Sequence, residues 1–322
     1  MLRLGTALVV CLSLSKADLG MAQNKESTQM SGTIAVTVQS PQSHLLGGAV
    51  PVLTTIVNHT PGPITVLLPY PNPNNFRFGC SQRSFAEPKP VHYDPDERTV
   101  PTDIQSGGSH QVTYYLNRYF KFIKPGSAEF TYELDLPVMN GGQQSTFTSK
   151  IFTGTFHVKQ VSASDEQLRR EFDAYARQLQ SSDRQKKMEA AEALAFVDVP
   201  TIVPYLLPML RIDNLEVIGI HALARHPSPE SKRAIASMLA HSSSAVVAAA
   251  LEEVDRLGIP IQRQEVQKLL LSENPGIQRL ALDWLARRPS REDLPLLSRV
   301  ISTGSEAVKN RARAYQQVLN AQ

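Results

Sequence analysis

Cysteine is almost missing from this chain of 322 residues: there are two, and Cys11 lies in the N-terminal leader. The other, Cys80, has no partner for an internal disulfide and no second thiol for a thiolate metal site. It reads as a small, partly buried hydrophobe. Runs of like charge are missing too. None exceeds three residues, and the formal net charge is only +3, with a pI near 8.8. A chain built for nucleic acid usually carries a strong basic stripe, so nucleic acid is not the expected partner. Long apolar runs are also absent. The one from Ala7 to Leu14 is too short to cross a bilayer, and no later one approaches that length, so no membrane insertion is expected of the mature chain.

Marks of a catalyst are missing as well. The eight histidines stand in no metal spacing, neither H-E-x-x-H nor an i, i+4 pair. There is no G-x-S-x-G and no glycine-rich phosphate loop, so acyl transfer and nucleotide chemistry lack both nucleophile context and cradle. The serine–lysine spacing of "SLSK" at 13–16 belongs to the leader. Asp94, Asp96, Glu97 and Asp103, in "HYDPDERTVPTD", form an acidic cluster with His92 nearby. Pro95 interrupts it and the glycine of a calcium loop is absent, so it reads as an acidic turn. No catalytic, cofactor-binding or metal-ligating residue is assigned.

What is present begins with the leader. Arg3, the apolar run and the small-x-small site Gly20-Met21-Ala22 have the layout of a secretory signal peptide over 1–22, cleaved after Ala22. "LVVC" at 8–11 approaches a lipobox, but Val10 is not the small residue such a site needs. Export to the periplasm or beyond is therefore expected. Residues 23–31 are expected to form a flexible mature N-terminus.

From 32 to 160 the pattern has period two. Ile34, Val36 and Val38 alternate with polar neighbours, as do Ala128, Phe130, Tyr132 and Leu134, and then Phe152, Phe156 and Val158. Such alternation puts one face in a core and the other in water. Turn signals such as "NHTPGP", "SGGS" and "NGG" separate the runs. Many short strands over some 130 residues predict an antiparallel β-sandwich. "KPGSAEFTY" at 124–132 resembles the Pro-Gly turn and inward tyrosine of immunoglobulin-like sandwiches, which implies that Tyr132 packs inward. "YYLNRYFKF" at 114–122 reads as a strand aromatic on both faces. Tyr115 and Tyr119, with Asn117 between them, are candidates for an exposed partner patch or for docking between domains.

From 164 onward the grammar is helical. "SDEQ" at 164–167 is a capping box, and "SPES" at 228 and "NPGI" at 274 set a cap residue before a proline at the first helical position. Two ladders then appear. Leu194, Leu223, Val254 and Leu285 step by 29, 31 and 31 residues, and Leu210, Leu239, Leu270 and Ile301 take the same steps. A helix pair too small to bury its own apolar stripe needs apolar residues at equivalent positions in every unit. "ARHPS" and "ARRPS" mark the turns. Glu253 occupies a position held by Ala222 and Trp284 in adjacent units, so the third unit is expected to be rotated or looser. Period and content resemble HEAT-type repeats over about 183–322. That resemblance implies an α-solenoid, which is usually a binding surface, with its second helices lining the concave face. Lys232, Arg233, Lys268 and Arg299 lie on those helices off the ladder and are the candidate contacts for a protein partner.

The expected whole is an exported, non-enzymatic adaptor. It has an immunoglobulin-like β-sandwich at 32–160 and a HEAT-like helical domain at 164–322. The alternatives are a protease-inhibitor-like module acting through sandwich loops, and a hydrolase or metal enzyme with a site near 80–110. The ladder register makes a direct prediction, measurable by denaturant unfolding. Leu223→Ala should cost about 2–5 kcal/mol, as buried leucines do. His221→Ala, off the stripe, should stay within about half a kcal/mol. Equal losses would contradict the register.

Overall fold

The computed structural model describes residues 27–31, 34–40, 43–69, 76–89, 99–140 and 146–321. The leader, the loop 71–75 and the acidic residues Asp94, Asp96 and Glu97 lie outside them. Twelve strands come first among the described residues: β1 Ser27–Ser31, β2 Ile34–Gln39, β3 His44–Leu45, β4 Pro51–Asn58, β5 Ile64–Pro69, β6 Phe76–Cys80, β7 Ala86–Pro88, β8 Thr99–Ile104, β9 Ser109–Tyr115, β10 Phe120–Phe122, β11 Gly126–Asn140 and β12 Thr148–Val161. Ten α-helices follow: α1 Asp165–Gln178, α2 Arg184–Ala195, α3 Val203–Leu206, α4 Glu216–Ala224, α5 Pro229–Ser237, α6 Ser244–Arg256, α7 Arg263–Leu269, α8 Pro275–Ala286, α9 Leu294–Thr303 and α10 Glu306–Asn320. None of the described helices is long and apolar enough to cross a membrane.

The strands make a β-sandwich. One sheet has the order β1-β2-β4-β9. The other runs β3-β12-β11-β5-β8, with β6 also paired to β11, and β7 and β10 form a separate pair. The period-two residues meet between the sheets. Ile34, Val36, Val52 and Ile56 from the first pack against Phe130, Leu134, Phe152 and Phe156 from the second. Tyr132 is buried among them, edge-on to Phe76 with ring centroids 5.9 Å apart. Residues 27–31, expected to be flexible, instead contribute β1, whose backbone pairs antiparallel with β2 from Ser27↔Val38 to Ser31↔Ile34.

"YYLNRYFKF" is not one strand. β9 ends at Tyr115, a 3₁₀ turn covers Leu116–Arg118, and β10 starts at Phe120. The reason lies in burial. Tyr114, Tyr115, Leu116 and Asn117 are buried in succession, which a two-faced strand cannot do with one side in water. Turning the backbone through 3₁₀ geometry lets all four reach the interior.

The switch to helix falls where the capping signals place it. Ser164 accepts from the Gln167 amide while the Gln167 side chain accepts from the Ser164 amide, closing the box at the start of α1. Ser228 and Asn274 cap α5 and α8, each followed by proline. The longer first helices pack in order: α2 on α4, α4 on α6, α6 on α8, α8 on α10. Leu194, Leu223, Val254 and Leu285 are buried in one continuous core. Leu210, Leu239 and Leu270 are buried with them, and Ile301 packs half-buried against the same core.

Between successive helices run polar ties that hydropathy alone does not reveal. Arg225, at the end of α4, donates to the Ala195 carbonyl at the end of α2. Arg256 at the end of α6 repeats this on the Ala224 carbonyl at 3.1 Å. Each satisfies an orphan carbonyl and sets a cation at the negative end of a helix dipole. In the next unit Arg287 and Arg288 turn instead to Asp255, at 3.1 and 2.8 Å, and the Trp284 indole donates to the same carboxylate at 2.8 Å. Further on, the fully buried Asp293 accepts from Arg263, Gln267 and Tyr315, joining α7, the turn before α9, and α10. Burial alone would raise that carboxyl. The hydrogen bonds from Arg263, Tyr315 and Gln267 outweigh it and hold it below the usual range.

Two expectations, one for the third unit and one for His221 on α4, are corrected. Glu253 stays on the buried face of α6 rather than rotating outward. Its carboxylate is held by Arg256 Nε at 2.6 Å and shares a 2.7 Å hydrogen bond with His221 Nδ1. Burial would push the Glu253 carboxyl up, but these two partners hold it down. His221 is therefore a tie between α4 and α6, and removing it leaves a buried carboxylate short of one partner. The expected loss for His221→Ala rises accordingly to about 1–3 kcal/mol.

In the sandwich, Ser40 Oγ and His44 Nε2, both buried, share a 2.7 Å hydrogen bond. Burial lowers the His44 imidazole from 6.5 to about 4. The unfolded chain therefore takes up this proton first as the pH falls. Stability tied to His44 is complete above about pH 6.5 and is lost as the pH drops toward 4, about 3 kcal/mol in all. Denaturation midpoints measured from pH 7 to pH 4 should show this loss, and His44→Gln should flatten it.

Candidate functional site

The sequence candidates fall in three places. Arg233 on α5, Lys268 on α7 and Arg299 on α9 are exposed, and Lys232 beside Arg233 is half-buried. These four cations lie on second helices off the buried ladder. Tyr119 is buried in the sandwich, its ring edge-on to Phe78 at 5.1 Å. Tyr115 is buried too, against Ala49 and Ala193 with Tyr175 packed on the group. The two tyrosines are thus not an exposed patch, because the 3₁₀ turn after Tyr115 sends both rings inward. Tyr115 instead joins sheet to helix: Ala49 precedes β4, while Ala193 and Tyr175 stand on α2 and α1.

Around Tyr115 lies a seam built from short segments of both halves. The turn between β3 and β4 carries Gly47 and Gly48. Gly47 has φ of +91°, and a side chain there would meet Val199 at 2.9 Å. A β-carbon on Gly48 would meet the Glu171 carboxylate at 2.6 Å. The positive φ calls for glycine at position 47, while a β-carbon at 48 would push the Glu171 carboxylate aside. Glu171 on α1 then accepts from the Ala49 amide at 2.8 Å. Burial raises the Glu171 carboxyl, and the Ala49 amide opposes this. Asn117 locks the other side of the turn. Its Oδ1 accepts from the Val50 amide at 2.6 Å and its Nδ2 donates to the Gly48 carbonyl at 3.0 Å.

The rim of the seam is basic. Lys89, just after β7, donates to the Asn117 carbonyl at 2.7 Å and is ion-paired to Asp198 beyond α2. Burial lowers the Lys89 ammonium, and Asp198 opposes that shift. Phe196, the C-cap of α2, faces two guanidinium groups. Arg225 Cζ lies 4.7 Å from the ring centroid and Arg118 Cζ lies 5.3 Å from it. Both distances suit a cation–π contact. One arginine comes from the helices and the other from the sandwich. The His226 ring nitrogen meets the Val197 carbonyl at 3.0 Å, and burial lowers that imidazole.

Among the described residues no three His, Cys, Asp or Glu side chains gather as a metal site would require. Asp103, the described member of the acidic cluster, accepts from Thr65 Oγ1 at 2.6 Å. Cys80 is half-buried, and burial raises its thiol. Ser40 and His44 have the spacing of a nucleophile and its base. Both are nearly sealed, however, and Ser40 also reaches the Pro51 carbonyl at 3.4 Å, so the pair ties His44 to the start of β4.

No protein-family model matches the chain, and no curated protein matches it. Among solved structures, an engineered protein is similar over 47% of this chain and 80% of its own, with 16% identity and a TM-score of 0.28. The ASH/PapD-like domain of human CEP192 is similar over 45% of this chain and 99% of its own, with 10% identity and a TM-score of 0.23. The GAE domain of GGA2p from Saccharomyces cerevisiae is similar over 40% of this chain and 96% of its own, with 10% identity and a TM-score of 0.20.

Proposed function

We propose that the chain is an exported, non-enzymatic adaptor whose helical half is a HEAT-like α-solenoid, carried behind an immunoglobulin-like sandwich, and that it binds a protein partner through its second helices. The observation that carries this reading is the pairing of two periodicities. The apolar rungs of successive helices are all packed into one core. The arginine–carbonyl ties recur with the same step of 31 residues, from Arg225 to Arg256. A stack of this kind spends its apolar residues on neighbours. It leaves Arg233 on α5, Lys268 on α7 and Arg299 on α9 exposed. A surface held by stacked helices loses little ordering entropy on binding. The signal-peptide layout of residues 1–22 supports export.

The test is crosslinking of the full-length chain in the compartment to which it is delivered. Wild type is compared with the triple variant Arg233→Glu, Lys268→Glu, Arg299→Glu. The expected outcome is a partner crosslinked to α5, α7 or α9 in wild type and lost in the triple variant, with a Tm changed by no more than a few degrees. A partner held equally by the variant, or crosslinked only to the exposed residues 81–84 of the sandwich, would reject the reading; the latter would favour the inhibitor-like alternative.

A further inference from the structure

We propose that the outer edge of β12 is a docking site for a second copy of this chain, whose own β12 adds antiparallel to it across a two-fold axis at Ile151. The site stands on β12 alone and does not depend on the surface of α5, α7 and α9. On one side β12 is paired with β11 from Thr148 to Gln160. On the other side β3 meets only Gln160 and Val161. β1 lies beside β12, but its backbone ladder is made with β2. Among the described residues, then, no strand pairs with the outer edge of β12 from Thr148 to Lys159. Alternate residues of an antiparallel strand turn their amide and carbonyl groups away from the existing partner, and there they can pair with an incoming strand. The opposite edge of the same sheet is guarded: β8 carries Pro101, which has no amide hydrogen. β12 carries no proline.

The side chains select the occupant. Ile151 is 61% exposed, the most open of the large apolar side chains among the described residues, and Phe147 just before β12 is 39% exposed. Phe147, Ser149, Ile151, Thr153 and Thr155 share one face by the period of a strand, and all are exposed. In a two-fold antiparallel pair the central residue meets itself, and residues equally far on either side of it meet each other. Centred on Ile151, the pairing sets Ile151 on its own copy, Ser149 on Thr153 and Phe147 on Thr155. These are β-branched, hydroxyl and aromatic pairs of the kind that stabilise adjoining strands. Charge agrees with this register. Lys150 is the one charged residue from Thr148 to Gly154, and it falls opposite Phe152. An axis at Lys150 would instead set two ammonium groups against each other. The strand therefore complements itself, which an unrelated strand need not do. Pairing over 148–154 buries less than the roughly 800 Å² per partner of a stable complex, so the dimer is reversible and fills with concentration.

The experiment is sedimentation velocity of the full-length chain from roughly 1 µM to 1 mM. A monomer–dimer equilibrium is expected, and Ile151→Lys should weaken it about tenfold by setting two charges together at the axis. Ile151 is exposed, so this variant keeps the folded monomer, which an unchanged Tm checks. Ile151→Cys, in a chain with Cys11→Ser and Cys80→Ser, should form a disulfide between copies when oxidised glutathione is added. Lys159→Cys in the same background lies on the same face of β12 but far from the axis, and should not. A chain that stays monomeric throughout would overturn the proposal. So would a dimer unchanged by Ile151→Lys, or crosslinking as fast at Lys159→Cys as at Ile151→Cys. An Ile151→Cys chain linked, in the cells expressing it, to a different protein in place of a second copy would give the edge another occupant and overturn it too.

Discussion

The second half of the chain depends on apolar burial shared between its helices, whose rungs lie in one continuous core. A nine-residue helix such as α4 is marginal on its own in water. It becomes stable when Leu223 and Ala222 are covered by α2 on one side and α6 on the other. Removing a leucine side chain from water is worth about 2 kcal/mol, so each rung contributes more than the intrinsic helical preference of its residues. Among the described helices α2, α4, α6, α8 and α10 pack in sequence, so α4, α6 and α8 each have a helix of this series on both sides. The arginine–carbonyl bonds join the ends of α2 and α4 and of α4 and α6, while Arg287 and Arg288 at the end of α8 turn to Asp255.

The seam applies this logic between unlike partners. A sheet edge and a helix pair share no common period, so their contact is made by particular residues. Gly47 and Gly48 remove side chains where α1 and the turn after α2 approach. Asn117 replaces missing backbone partners in the turn that results. Tyr115 fills the space between. The arginines on Phe196 then form a rim that neither half could build alone.

Much of this was legible in the sequence. Alternation around Ile34, Phe130 and Phe152 gave the sandwich faces, because period two survives wherever one face is wet. Steps of 29, 31 and 31 residues between Leu194, Leu223, Val254 and Leu285 gave the helical register, and Ser164 with Gln167 gave the switch point. The rest was hidden for identifiable reasons. Tyr115 and Tyr119 lie four residues apart and look like strand neighbours, yet a 3₁₀ turn intervenes and no turn-forming glycine or proline announces it. His221 is off the apolar stripe, but its partner Glu253 lies 32 residues away on the next helix. Glu253 looked like a defect in the ladder because only its partners explain its burial. The seam has no sequence period at all. Its one readable mark is the pair Gly47-Gly48 between two otherwise apolar stretches.

The dependence of each helix on its neighbour can be measured by double-mutant cycles on unfolding free energy. Leu223→Ala with Val254→Ala removes rungs from adjacent helices, and Leu223→Ala with Leu285→Ala removes rungs two helices apart. Nearest-neighbour support predicts a coupling above about 0.5 kcal/mol for the adjacent pair and additivity within about 0.3–0.5 kcal/mol for the separated one. Equal coupling in both cycles, or none in either, would contradict it.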